Sequence, residues 1–168
     1  MKRAIGWMLV GLLLMLVSGT NAGAAAYDGL AATLIDLPGW NGENAEGMHM
    51  EMGGTTMANA NRTYRKDDAE IDAAITVGGS VMGPAAMGDM KMETDTERIT
   101  VSTVAGYRVH TRFSKADTSG AVVVSLLQDE KGGAIFTFTY NGLAEEAAME
   151  LAQTFDWAAM KEAAGKLR

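Results

Sequence analysis

The sequence predicts an α+β fold, a single antiparallel twisted sheet of about five to six strands with C-terminal helices packed on one face. Three observations point there. From Tyr107 to Phe113 the residues alternate, Tyr107, Val109, Thr111 and Phe113 on one side and Arg108, His110 and Arg112 on the other, which is the period of a half-buried strand. Ala121 to Leu127 and Ala134 to Tyr140 are apolar and rich in β-branched and aromatic residues, and Asp129-Glu130-Lys131-Gly132-Gly133 between them reads as a hairpin turn. After Asn141-Gly142, Leu143, Ala147, Leu151 and Phe155 recur every four residues, the spacing of one helical stripe. Strands followed by helices build a sheet with a helical layer.

In chain order, Met1, Lys2 and Arg3 precede an uncharged run from Ala4 to Val17 and a small, polar stretch from Ser18 to Ala22. Basic, apolar and small regions in that order make a Sec-type signal peptide, and an apolar run of about 14 residues is too short for the ~20 that span a bilayer. Residues 1–24 are therefore expected to be a signal peptide cut after Ala24, and residues 25–168 a single soluble domain, periplasmic or secreted. The chain has no cysteine, which leaves out a lipoprotein anchor, disulfides and thiolate sites. Without Lys2 and Arg3 the 14 basic residues become 12, against 21 acidic ones, so the mature chain carries −9. That sign repels nucleic acid and anionic lipid, so neither is an expected partner, and no stable membrane insertion is expected after cleavage.

Tyr27 to Ile35 reads as an opening helical turn, stopped by Pro38, which lacks a backbone donor. Met48-His49-Met50-Glu51-Met52 alternates as a strand ending at Gly53-Gly54. Ala60 to Arg65 and Ile71 to Val77 read as a hairpin around Lys66-Asp67-Asp68, Gly78 to Met92 as a loop or broken helix, and Ile99 to Val104 as a further strand. Asp156 is placed to cap a second C-terminal helix whose apolar face is Trp157, Met160, Ala164 and Leu167.

Leu37-Pro38-Gly39-Trp40, the strand motif Arg62-Thr63-Tyr64 and the closing pair Asp156-Trp157 together resemble a loose group of small exported bacterial α+β proteins without assigned activity. The plan also resembles, more faintly, the sheet-and-helix domains of the PsbP and Mog1 type. The resemblance implies a fold and carries over no catalytic or ligand residue.

Methionine is the unusual part of the composition. Ten of the 13 lie beyond the signal, and eight of those fall in two glycine-rich segments: Met48, Met50, Met52 and Met57, then Met82, Met87, Met90 and Met92. A methionine stripe at strand spacing is usually packing, and an unbranched, polarizable side chain suits an irregular core. Two alternatives stand beside core filling. One is an adaptable groove for a partner. The other is a copper site, because thioethers are soft ligands that select Cu(I); Met48, His49, Met50, Met90 and Met92 are its candidate ligands. Alternate strand residues sit about 6.8 Å apart, so Met48 and Met50 could share an ion only if the second segment folded against the first, and His49 would face away.

Arg108, His110 and Arg112 form a basic row able to hold a carboxylate or phosphate, although such a row is more often a solvated strand face. No Gly-x-Ser-x-Gly elbow, phosphate-binding loop or His-Glu-x-x-His helix is present, and the two histidines lie in separate strands. The expected function is accordingly non-catalytic, without a cofactor: an envelope protein that binds an unidentified protein partner or small ligand, with a periplasmic copper-binding protein and an uncharacterised enzyme as the alternatives.

Overall fold

The computed structural model describes residues 22–79, 84–130 and 132–168; the expected signal peptide, apart from its last three residues, lies outside them. Among the described residues nine strands form one antiparallel sheet: β1 (Asn41–Gly42), β2 (Glu46–Met52), β3 (Thr55–Lys66), β4 (Ala69–Gly78), β5 (Met90–Glu93), β6 (Glu97–Val104), β7 (Tyr107–Ser114), β8 (Ser119–Asp129) and β9 (Gly132–Asn141). The strand order is β1-β3-β4-β9-β8-β7-β6-β5, with β2 pairing the other half of β3. The α-helices among the described residues are three and short: α1 (Ala22–Ala31), α2 (Glu145–Thr154) and α3 (Trp157–Gly165).

This overturns the expected α+β fold. The chain is mostly β, with nine strands rather than five to six, and helices from both ends of the chain cover the core. Seven of the nine, β2, β3, β4, β6, β7, β8 and β9, fall on segments that read as strands in the sequence; β1 and β5 do not, for a physical cause. β1 is two residues long and β5 is exposed at all four positions, so neither leaves the alternating burial that reveals a strand.

Tight turns fix the register. Gly53 and Gly54 both have positive φ, 61° and 78°, as a two-residue type I′ turn between β2 and β3 requires. Ala105 and Gly106, at 49° and 84°, do the same between β6 and β7. The Asp67-Asp68 turn joins β3 to β4.

One face of the sheet is the core. Tyr64 of β3, Ile71, Ala73, Ile75 and Val77 of β4, Phe136 and Phe138 of β9, Val122 and Val124 of β8 and Val109 of β7 are all buried on it. Phe155, between α2 and α3, lies against Phe136, Phe138 and Tyr64 with ring centroids at 5.2, 6.1 and 6.2 Å. Full burial of a side chain of this kind contributes about 1.5–3 kcal/mol. Trp157 meets Tyr107 edge-on at 5.7 Å, and its Nε1 donates to the Ala152 carbonyl at 3.0 Å, which satisfies its buried polar atom.

Asp156 starts α3 as its side chain accepts from the backbone N–H groups of Ala158 and Ala159 at 3.0 and 2.9 Å. The buried positions of α2 are Ala148 and Ala152, while Leu143, Ala147 and Leu151 are half-buried, so the helix sits one residue away from the expected stripe. Small side chains there let it pack against β8.

The Arg-x-Tyr motif of β3 fastens the segment between α1 and β2. Arg62 donates from Nε to the Glu43 carbonyl at 2.7 Å and from Nη1 to the Leu34 carbonyl at 2.8 Å, and its Nη2 pairs with Asp36. Tyr64 donates from its hydroxyl to the Ile35 carbonyl at 2.8 Å.

Candidate functional site

Strand parity assigns every side chain to a face. On β2, Gly47 and His49 lie on the core side, where α1 packs; a Cβ on Gly47 would meet the Tyr27 ring at 2.7 Å. Met48, Met50 and Met52 lie on the other side, and Met57 of β3 joins them because it stands directly opposite Met50. At the far edge Met90 and Met92 of β5 pair with Val101 and Ile99 of β6 and share the same open face. Tyr27, Phe155 and Trp157 all reach the core side, while the short 3-10 turn Pro84–Ala86 contacts β7 and β8 and the segment after it is held by Arg108 on the open face.

The described methionines of the two glycine-rich segments are therefore not core filling, unlike Met149 and Met160 of the C-terminal helices, which pack against the core. Among the described residues the exposed large hydrophobic ones are Ile35 and seven methionines, from 40% at Met90 to 70% at Met52. Met160 of α3 is the fully buried exception among the described residues. Met82 lies outside them. Sequence alternation gives the face of each strand but not which face the helices occupy, and that choice decided the outcome.

The copper candidates divide into two groups. Met48 and Met50 are on β2, Met90 and Met92 on β5, and β3, β4, β9, β8, β7 and β6 lie between those strands. With strands about 4.8 Å apart, the structure does not bring the two sets onto one ion. His49, half-buried, faces the core side opposite Ala58.

The basic row does share one face, but its arginines are occupied. Arg108 pairs with Asp89 and donates to the Met87 carbonyl and, at 3.0 Å, to Thr103 Oγ1. It thereby ties down the connection before β5, whose 3-10 turn Pro84–Ala86 contacts β7 and β8. Arg112 pairs with Glu97, and His110 is half-buried between Val101 and Val123. The Nε atoms of Arg98 and Arg108 are buried without a hydrogen-bond partner. At the β5 edge Glu93 accepts from Lys115 at 2.9 Å and Arg98 at 3.1 Å, and these two cations hold its carboxyl down at about 2. An anion reaching this row would have to displace a carboxylate from each arginine.

Two adjoining depressions of about 340 and 380 Å³ open on this face near the start of β8. Glu70, Asp72 and Asp117 line one, and Glu97, Arg112 and Asp117 the other, so their charge is mainly acidic. Among the described residues no three histidine or acidic side chains converge as a metal site. No described helix is long and apolar enough to cross a membrane. No family model, curated protein or solved structure matches the chain.

Proposed function

We propose that this chain is an exported, soluble, non-catalytic protein of the bacterial envelope, and that it binds another envelope protein through the open face of its sheet. One observation carries the reading: six exposed methionines, Met48, Met50, Met52, Met57, Met90 and Met92, lie on the sheet face away from the helices. Met48, Met50, Met52 and Met57 are neighbours on the β2–β3 hairpin, with Met90 and Met92 a second pair at the far edge, and exposed apolar surface that is costly to leave in water marks a contact site. Methionine suits such a site because its flexible, polarizable side chain adapts to the shape of a partner. The basic, apolar and small-residue order at the N-terminus supports export, and the missing motifs for nucleophilic, phosphoryl and zinc chemistry support a binding role.

The test is a photocrosslinking residue placed at Met52 or Met92 on the open face, or at Gln153 on the helical side, in cells that express the full chain. A single discrete adduct from the open-face positions, competed away by purified wild-type protein, supports the reading. Equal yields from Gln153, or no competable adduct at all, overturn it.

A further inference from the structure

We propose that the β2–β3 hairpin holds a self-contained soft-metal site, with Met50 and Met57 as its central ligands and Met48 or Met52 as the third, selective for Cu(I) or its analogue Ag(I). The site draws on neither β5 nor His49, and it stands independently of the partner reading.

The warrant is the register. Met50 and Met57 are directly opposed across the hairpin, while Met48 opposes Asn59 and Met52 opposes Thr55, so both flanking methionines are diagonal neighbours of Met57. Directly opposed Cβ atoms lie about 4.5–5.5 Å apart and diagonal ones about 7–8 Å, close enough for long side chains to meet. Along one strand the 6.8 Å step from Met50 to either neighbour is bridged the same way (about two strand residues at 3.4 Å). Three thioethers can thus converge without any change in the backbone. A single strand could not do this; the cross-strand residue Met57 makes the third ligand possible.

The surroundings leave the sulfurs available. Met48, Met50, Met52 and Met57 are 62%, 42%, 70% and 41% exposed. Asn59, the partner of Met48, turns its Nδ2 toward β4, donating to Thr76 Oγ1 at 3.1 Å and to the Ile75 carbonyl at 3.3 Å, so it does not cover the neighbouring thioether. The Gly53-Gly54 turn holds the two strands in this register. Neutral sulfur donors prefer a soft monovalent ion to Zn(II) or Mg(II), and Glu46, on the same face of β2, adds negative charge nearby.

The experiment uses the mature protein with its methionine methyl groups labelled with carbon-13, titrated anaerobically with Ag(I) and then with Cu(I) against a chelating competitor. One equivalent is expected to shift the methyl signals of Met50, Met57 and a flanking methionine while leaving Met90 and Met92 in place. The double substitution Met50→Leu with Met57→Leu is expected to weaken binding at least about tenfold, while Met90→Leu with Met92→Leu and His49→Gln leave it unchanged. Leucine conserves the volume of methionine, and these positions are exposed, so the variants keep the fold, which circular dichroism checks. Uniform shifts across both edges, affinity no tighter than about micromolar, or an unchanged constant in the Met50/Met57 variant would each overturn the assignment.

Discussion

Replacing Arg62 separates a structural clamp from a surface ion pair. Its guanidinium makes two hydrogen bonds to main-chain carbonyls, at 2.7 Å to Glu43 and 2.8 Å to Leu34, and pairs with Asp36, whose side chain is 89% exposed. A hydrogen bond from a charged donor contributes about 1.5–3 kcal/mol, and because the Glu43 contact is solvent-facing the two together should contribute about 3 kcal/mol. The exposed ion pair should contribute less than about 1 kcal/mol. Arg62→Ala is therefore expected to lower stability by about 3 kcal/mol, near 10 °C in Tm for a chain of this size. Arg62→Lys keeps the charge but cannot span both carbonyls, so it should lose about half as much. Asp36→Ala should stay within about 1 kcal/mol of wild type. Urea unfolding of the four proteins reads these differences directly. A lysine variant as stable as wild type, with alanine at 62 and at 36 equally costly, would refute the clamp and leave only the ion pair.

Three other perturbations follow from the same physics. Asp156→Ala removes the side chain that accepts from Ala158 and Ala159 and should cost about 1 kcal/mol by urea unfolding, with an effect under a few tenths counting against the cap. Ala105→Asn should stabilise by about 1 kcal/mol, since Ala105 sits at φ 49° beside Gly106 and asparagine tolerates that conformation; no gain in Tm would contradict the strain. Burial pushes the phenols of Tyr64 and Tyr140 up to about 12. Both are neutral when folded and ionise near 10 when unfolded, so their contribution is complete below pH 10 and is lost as pH rises through 12, at about 1.4 kcal/mol per unit for each. Urea midpoints that match at pH 9 and pH 11 would refute that coupling.

The strands were legible wherever burial alternates. Tyr107 to Phe113 shows a period of two because one side of it is buried, and the hairpin around residues 129–133 was legible from its apolar, β-branched strands and polar turn. Asp156 was legible as a cap because a short acid before Trp157 has few other local roles. β5 was not legible, because a strand exposed on both sides has no pattern to read. The site depended on pairing rather than on composition. That Met50 faces Met57 follows from a two-residue turn and from which side α1 covers, and Met57 stands outside the alternating run that drew attention to Met48, Met50 and Met52. The basic row was legible as a row, but its counter-ions Asp89 and Glu97 come from elsewhere in the chain.

Whether a partner covers the open sheet face in the envelope, as proposed, is read most simply by methionine oxidation. Dilute peroxide converts accessible thioethers to sulfoxides, and mass spectrometry reads each position. In purified, metal-free protein Met48, Met50, Met52, Met57, Met90 and Met92 should oxidise quickly while Met160 stays protected, as their exposures require. In intact envelopes treated with a soft-metal chelator, these six are expected to slow markedly while Met149 of α2, half-buried on the helical side, keeps its rate. Equal oxidation rates for the six methionines in the envelope and in the purified protein would contradict the proposal.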